Sequence, residues 1–454
     1  MFKHGTQVVR SIVGSQPNSF SNDSLIALVG IAPVGEKQVI HYVRSAKQAM
    51  DLFGVDVPGF SIPRALEVMF AEKASGVFVV NVFDSATMTT AVVDETQAVS
   101  GGKAKTTHAP VGAIVVKNAA GDVTYVNGTD YVADALGNIT IKQVITEGAS
   151  LRVSYSRLNA AAVTASVIVG TDTGGVATGM ELWKRIESTY SLRPSILVAP
   201  TYCELATVGT KLVEMADYFG ATTYIDAPSG NQSVNTVLAA RGLSGTWSGF
   251  RSQSKNLELL YMYLKDAKGL FPASAAMAGL RSRITATPGK GRHVSTSNNL
   301  LFSATGVEYN LAGDINDSSS DYNALNAAGI TTFRTATEGI YAWGNRNASF
   351  PVNTNPDSFT AAHFEWNGID RFLKELGLKH NDLGLTTAFI ELVIAEGKAY
   401  LRARQAANAL LSPDMFYDPS LNPSNELAAG RITFSVVFAT TVPGEFITFN
   451  STLD

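Results

Sequence analysis

Cys203 and Asp226 occupy positions that could suit catalysis. Each follows a predicted strand, residues 195–199 for Cys203 and residues 222–225 for Asp226, and nucleophiles of α/β enzymes occur just past such strands. A cysteine nucleophile also needs a base, yet no histidine lies near Cys203 in the sequence. We therefore keep an α/β hydrolase that uses Cys203 or Asp226 as an alternative, beside the simpler interpretation of an inert, partly buried thiol.

Two other motifs share part of a known site but lack what its chemistry requires. The Asp-Thr-Gly motif at residues 172–174 matches an aspartic-protease loop, but it occurs once, and that chemistry needs two such loops that share a proton. Residues 314–321 are similar to a calcium loop, but Ser319 stands where glycine is required and Leu325 where a bidentate glutamate is required. The two motifs therefore predict a turn and a solvated loop that caps a helix.

No set of cofactor ligands is apparent in the sequence. The histidines have no spacing typical of metal ligands; they are His4, His41, His108, His293, His363 and His380. Neither the phosphate-cradling motif G-x-x-x-x-G-K-[ST] nor the dinucleotide motif G-x-G-x-x-G follows a predicted strand. The sequence predicts no catalytic set, no cofactor and no metal.

Strands and helices alternate in two separate segments of the chain. The predicted strands are residues 25–29, 77–82, 195–199 and 222–225, and the predicted helices are residues 45–53, 62–74, 181–190 and 205–219. Continuous apolar runs are typical of strands buried on both faces, and their alternation with helices indicates a parallel sheet covered by helices. We predict a discontinuous α/β domain made of residues 23–84 and 160–270.

The segment between these two parts, residues 85–159, has a different character. Its short β-rich runs are separated by turn signals such as Asn127-Gly128 and show no helical periodicity. This pattern predicts a small β-sandwich or barrel inserted into the α/β layer. Because such a module could bind other molecules, a β-module adhesin is a further alternative.

The late part of the chain predicts helices followed by a linker. Residues 363–375 and 386–411 are the clearest helices, and the second is amphipathic. Proline-containing residues 412–425 then predict a flexible linker. We predict a C-terminal domain of residues 271–425.

Both ends of the chain predict extended arms. Residues 431–449 alternate apolar and polar side chains, with a break at Val442-Pro443-Gly444. We predict a C-terminal strand arm of residues 426–454 and an N-terminal arm of residues 1–22 that contains one short strand. A strand carries unpaired N–H and C=O groups, so these arms need partners, from this chain or from another copy of it.

Composition excludes several classes of function. The chain has 454 residues, of which 45% are hydrophobic and 16% charged, so about three domains with large cores are expected. The net charge of −4 argues against direct nucleic-acid binding. The sequence shows no signal peptide and no apolar run long enough to span a membrane, so we expect a protein that folds in a cytosol and does not bind membranes.

Several motifs, in order along the chain, resemble those of the sheath proteins of contractile phage tails and related contractile injection systems. They are HGTQV (4–8), ALVGIAPVG (27–35), FG (53–54), PSILVAP (194–200), YIDAP (224–228), AGLRSR (278–283), LNAAGI (325–330), GIYAWGNR (339–346) and PGEFI (443–447). Their order and spacing together carry the resemblance, which covers nearly the whole chain except the β-rich insertion. It implies an α/β (α+β) multidomain fold whose C-terminal sheath domain is completed by terminal strands shared between subunits.

The resemblance also implies a function. Subunits of this family stack as rings of six around an inner tail tube and are linked by exchanged terminal strands. Contraction of the sheath drives the tube through the bacterial envelope for genome ejection. The expected partners are other copies of the chain, the inner tail tube protein, and baseplate and tail terminator proteins, with the sheath assembled in the host cytoplasm and carried in the virion. The resemblance implies no enzymatic activity.

The expected contact residues fall into two groups. The candidates for strand exchange are Val8, Val9, Ile12, Val13, Ile432, Phe434, Val436, Phe438, Phe446, Ile447 and Phe449. The resemblance implies that a C-terminal helix faces the tube, and the candidates for that contact are Arg371, Lys374, Lys398, Arg402 and Arg404.

Overall fold

The structure, a computed structural model, describes residues 24–142, 145–230 and 232–452. The first elements are β1 (Ile26–Gly30), β2 (Ile40–Val43), α1 (Ala46–Phe53), α2 (Ser61–Ala71) and β3 (Val77–Asn81). β1 and β3 are buried along their whole length, as is typical of strands covered on both faces. The strands and helices predicted between residues 25 and 84 are confirmed, and the structure adds β2, which was not predicted.

The segment after residue 84 forms two small antiparallel sheets. Its strands are β4 (Thr89–Ala98), β5 (Lys103–Lys105), β6 (Pro110–Asn118), β7 (Thr124–Tyr125), β8 (Tyr131–Ala133), β9 (Asn138–Ile141) and β10 (Ser150–Leu158). One sheet has the order β4-β10-β6-β7 and the other the order β5-β9-β8. Both contribute to one apolar core, which includes Val116, Ile139 and Leu151. The predicted β-rich character is confirmed, and we call this part the β module.

The chain then returns to alternating helices and strands. These elements are α3 (Ala165–Val169), β11 (Asp172–Thr173), β12 (Val176–Ala177), α4 (Ile186–Tyr190), β13 (Ile196–Val198), α5 (Ala206–Phe219), β14 (Thr222–Asp226), α6 (Val234–Ala240), β15 (Leu257–Leu260), β16 (Leu264–Asp266), β17 (Gly269–Phe271), α7 (Ala273–Ala286), β18 (Gly306–Val307), α8 (Asp321–Ala327), β19 (Ile330–Ala336) and β20 (Gly339–Trp343). The Asp-Thr-Gly motif lies in the hairpin between β11 and β12, which confirms the predicted turn. The loop predicted from residue 314 ends at Ser320, whose side chain caps α8.

Eight strands form a central sheet in the order β2-β3-β1-β13-β14-β15-β19-β20. The six inner strands of this sheet are parallel to one another, and the edge strands β2 and β20 are antiparallel to their neighbours. Leu66 of α2 and Leu280 of α7 belong to the core on one face, and Leu212 of α5 to the core on the other. The sheet also includes β19 and β20, which lie after residue 270, the predicted end of the discontinuous α/β domain. We call this sheet with its covering helices the body.

The last elements form a smaller unit beside the body. They are α9 (Thr360–His380), α10 (Thr387–Ala406), β21 (Leu410–Tyr417), α11 (Ser424–Ala428) and β22 (Phe434–Thr440). β21 and β22 pair as an antiparallel two-stranded sheet. We call these five elements the C-terminal unit, and we call residues 442–452 the tail.

Two predictions for this region are wrong. The helix predicted to reach residue 411 ends at Ala406, and the first half of the predicted linker, residues 412–425, is strand β21. Pro413 favoured a linker because proline cannot donate a ladder hydrogen bond. In the structure the register of β21 shifts between Leu411 and Asp414, so Pro413 lies at an irregularity of the strand, where proline is tolerated.

Candidate assembly interface

The two-stranded sheet of the C-terminal unit has open edges. β22 pairs with β21 from Tyr417↔Phe434 to Leu410↔Thr440. Within the described residues, neither the outer edge of β21 nor that of β22 pairs with another strand. Because each outer edge presents unpaired N–H and C=O groups, the sheet can accept further strands.

The inner face of this sheet belongs to the chain's own core. Phe434, Val436 and Phe438 are half-buried against a cluster that includes Leu401 and Met415. Phe438 also meets the ring of Trp366 edge-on, with 5.5 Å between the ring centroids. The side chains of these three candidates for strand exchange therefore pack within their own subunit.

The close packing between α10 and β21 depends on one glycine. A Cβ atom at Gly397 of α10 would lie 2.1 Å from the Sδ atom of Met415. The absent side chain lets the strand lie directly against the helix, which holds the small sheet in place although two strands alone are only marginally stable.

The tail extends from this sheet and pairs with no strand in the described part of the chain. Thr441 is fixed, because its N–H donates to the carbonyl of Ala409 at 3.1 Å. Beyond it, Phe446, Ile447 and Phe449 are 88%, 71% and 88% exposed. Large apolar side chains exposed in a row are unusual on a finished surface and indicate a segment that binds elsewhere. The other C-terminal candidate, Ile432, precedes β22 and is half-buried.

The N-terminal candidates for strand exchange lie outside the described residues. They are Val8, Val9, Ile12 and Val13. Their pairing therefore remains a prediction.

Three of the candidate tube-facing residues contact their own chain. Arg404 forms a bidentate pair with Glu365 of α9, with both Nε–Oε1 and Nη2–Oε2 distances at 2.6 Å. Glu365 is completely buried, so Arg404 serves as its counter-ion inside the subunit. Lys398 pairs with Asp414 of β21 at 2.8 Å, and Arg371 lies 3.5 Å from the carbonyl oxygen of Phe219 in the body.

The remaining two candidates are surface residues. Lys374 on α9 and Arg402 on α10 are exposed. Lys374 lies near Asp370 and Arg402 near Asp414, and both basic side chains are open to solvent in the described part of the chain.

Cys203 and Asp226 do come together, as their positions past neighbouring strands require. The thiol of Cys203 donates to Oδ2 of Asp226 at 3.3 Å, and both residues are almost fully buried. Burial raises the pKa of the Cys203 thiol well above its usual value, and burial raises the pKa of Asp226 to about 6. The N–H of Ser274 also donates to Asp226 at 2.8 Å. A buried, protonated thiol is a poor nucleophile.

Neither Cys203 nor Asp226 lines the nearby cleft. A cleft of about 380 Å³ opens at the carboxyl end of the parallel strands, lined by Ser61, Arg64, Thr201 and Tyr263 among others, but by neither Cys203 nor Asp226. The described residues also contain no group of three or more potential metal ligands, and no helix among them is long and apolar enough to cross a membrane. Neither Cys203 nor Asp226, the two residues of the hydrolase alternative, is accessible from this cleft.

The sequence interpretation missed a contact between the tail and the body. Arg346, which follows β20, forms a bidentate pair with Glu445 of the tail. The two residues are 99 positions apart in the sequence, and nothing in the pattern around either residue indicates the pairing.

Known proteins similar to this chain in sequence or in fold come from phage tails and contractile injection systems. No protein-family model matches the chain. The tail sheath protein of Burkholderia phage BcepMu is 32% identical over 464 residues, which cover 99% of this chain and 96% of that protein.

Two solved structures share the fold. One is the contracted sheath complex of PVC, an extracellular contractile injection system, with a TM-score of 0.59 and 14% identity over 100% of this chain and 99% of that one. The other is the contracted anti-feeding prophage baseplate, with a TM-score of 0.62 and 12% identity. At these identities the likeness shows a common fold over the full length of the chain.

Proposed function

The chain belongs to the family of contractile tail sheath proteins, and we propose that it polymerises into the sheath around the inner tube of a contractile tail. As a tail sheath protein it is a structural protein of the virion. The observation that carries the proposal is the unfinished state of the C-terminal unit, which combines a two-stranded sheet with open edges and an exposed apolar tail.

In the proposed assembly, the sheet formed by β21 and β22 accepts strands from other copies of the chain. The tail of one neighbour and the N-terminal arm of another would pair with its two open edges, the arm through Val8, Val9, Ile12 and Val13. Each copy would in turn donate its own tail. Every subunit then contributes the same complementary surfaces, as a repeating array requires.

The energies of such a link are modest for one pair of subunits. A donated strand forms about five backbone hydrogen bonds at roughly 0.5–1.5 kcal/mol each. Burial of Phe446, Ile447 and Phe449 adds about 1.5–3 kcal/mol per side chain. Association costs about 4–15 kcal/mol. One link is therefore weak, but links within an array form at high effective concentration and together become durable.

The family resemblance supports rings of six subunits stacked around an inner tube, with contraction driving the tube through the envelope of the host. The exchanged strands would keep rings connected while the bodies rotate. Baseplate and tail terminator proteins would cap the two ends of the sheath, and assembly would take place in the host cytoplasm.

Contact with the inner tube is best supported at Lys374 and Arg402, which are exposed on the two long helices. Arg404 cannot make this contact without leaving the buried Glu365 unpaired. Lys398 and Arg371 are also engaged within the subunit. The proposed tube contact therefore includes two of the five residues predicted from the sequence.

Removal of the tail tests the proposal. A chain that ends at Thr441 keeps β21, β22 and the core of the C-terminal unit. We expect it to fold with wild-type stability but to form no sheath-like tubes in negative-stain electron micrographs, under conditions in which the full chain forms them. Deletion from residue 426 is a poorer test, because it also removes β22 and exposes the core.

Two outcomes would contradict the proposal. Normal tubes from the chain that ends at Thr441 would show that the tail is dispensable. A full-length chain that stays monomeric at high concentration, both alone and with tubes of the cognate tail, would show that it is not a polymerising subunit.

A further inference from the structure

Arg346 is held in a rigid setting at the junction of the body and α9. Its Nη1 atom donates to the hydroxyl of Ser358 at 2.6 Å. Its guanidinium carbon lies 3.5 Å from the ring centroid of Phe359 and 4.6 Å from that of Phe350. The side chain is only 14% exposed. The two rings and the hydroxyl orient the guanidinium without help from the tail.

Glu445 of the tail fills the remaining side of this guanidinium. Its Oε1 atom accepts from Nε at 2.8 Å and its Oε2 atom from Nη2 at 2.5 Å. Paired, parallel hydrogen bonds of this kind are among the strongest side-chain contacts. Within the described residues, these are the only hydrogen bonds made by residues 442–452.

The pair holds the tail at a point that limits its reach. When the pair is closed, the free part of the tail begins at Phe446. When the pair opens, the free part begins after Thr441, so that four more residues, 442–445, are released and the tail reaches about 13 Å further.

We infer that the Arg346–Glu445 pair is a latch that holds the tail on its own subunit before assembly and opens when the tail pairs with a neighbouring copy. The inference rests on the proposed function, because it specifies how the donated strand is kept from binding too early. The latch adds a barrier to strand donation without covering the apolar side chains of the tail.

The substitution Glu445→Gln tests the latch. Glutamine keeps the size of the side chain but loses the charge and one of the two acceptors, and Glu445 is 40% exposed, so the fold is preserved. The matched control is Glu426→Gln, which breaks the surface pair between Glu426 and Arg431 of the same unit without touching the tail.

The first measurement is made on the separate subunits. We expect chymotrypsin to cleave after Phe446 about three to ten times faster in Glu445→Gln than in the wild type or the control, because the protease must also bind residue 445, which the closed pair holds against Arg346. Equal cleavage rates in all three proteins would overturn the latch.

The second measurement follows polymerisation by light scattering. We expect the Glu445→Gln protein to show a lag about three to ten times shorter than the wild type, and the control an unchanged lag. A lag that is unchanged or longer in Glu445→Gln would overturn the latch, because the pair would then persist in the assembled sheath. If the wild-type chain forms no polymer at all, the proposed function fails, whereas the cleavage rates still decide whether Glu445 restrains the tail.

Discussion

The body and the C-terminal unit differ in how far each is completed within one chain. The central sheet has eight strands, and helices cover both of its faces. The C-terminal unit has a two-stranded sheet, and an apolar tail extends from it into solvent. The body covers both faces of its sheet with its own helices, whereas the C-terminal unit leaves the edges of a two-stranded sheet and an apolar tail open to solvent.

The comparison shows how a subunit can be stable alone and still need its neighbours. The C-terminal unit gains its stability from the inner face of its sheet and from the buried Arg404–Glu365 pair. Its outer edges and its tail do not belong to this core. The surfaces proposed for assembly can therefore change partners while the subunit stays folded.

The largest expected effect is that of Arg404→Met. This change leaves the buried carboxylate of Glu365 without its counter-ion, so we expect the free energy of unfolding to fall by about 3–5 kcal/mol. Lys379→Met is the control, because the Lys379–Glu396 pair is exposed and should contribute less than about 1 kcal/mol. Urea unfolding of both variants provides the measurement. Equal losses would mean that the C-terminal unit does not depend on its buried charges.

A pH effect is expected in the body at Glu258. Its Oε1 atom accepts from the hydroxyl of Thr331 at 2.7 Å, and burial raises its pKa to about 7. The stability that the bound proton contributes is fully present below the pKa of the unfolded chain and is lost as the pH rises through about 7.

Glu258→Gln has no such proton to lose. We expect the free energy of unfolding of the variant, relative to that of the wild type, to rise by about 2–3 kcal/mol between pH 4 and pH 8. Urea unfolding at several pH values provides the measurement. Glu338→Gln is the control, because it makes the same change of charge at an exposed position. If the difference in unfolding free energy between Glu258→Gln and the wild type does not vary with pH, the pKa of Glu258 lies near that of a solvated glutamate.

A smaller effect is expected for Gly397→Ala. The added Cβ atom meets Met415 of β21, and the displacement of that side chain should cost about 1–2 kcal/mol. Gly377→Ala in α9 is the matched control, since a Cβ atom there has no neighbour within 4 Å. Its better helix propensity should stabilise the protein by up to about 1 kcal/mol. A neutral Gly397→Ala would show that the helix and strand are loosely packed.

The smallest effect on stability is expected for Lys374→Glu and Arg402→Glu. Both side chains are exposed, so thermal unfolding should change by less than about 0.5 kcal/mol. We expect both variants to assemble poorly on inner tubes but normally without them, because a reversed charge disturbs only the tube contact. Lys103→Glu in the β module, which makes the same change of net charge, should assemble normally. Normal assembly of all three on tubes would remove Lys374 and Arg402 from the tube contact.

The sequence predicted the body better than the C-terminal unit for a physical reason. Buried parallel strands such as β1 and β3 are nearly continuous apolar runs, which are visible in any short window. Strand β21 was missed because Pro413 is a strong local signal against a strand, and only its pairing with β22 overrides that signal.

The charged residues were harder still to place. Arg404 lies among polar residues of an amphipathic helix, which is typical of a solvated face, and its partner Glu365 is 39 positions away on another helix. The pair between Arg346 and Glu445 is separated by 99 positions. Contacts of this kind depend on how helices and segments meet, and a single sequence carries no local signal for them.

Hydrogen exchange of backbone amides, compared between separate subunits and assembled tubes, tests the incomplete C-terminal unit most directly. We predict that residues 442–452 and the outward-facing amides of β21 and β22 exchange rapidly in subunits and become protected by more than about 100-fold in tubes, whereas the central sheet is protected in both. Tubes in which the tail and these strand edges exchange as fast as in subunits would contradict the account.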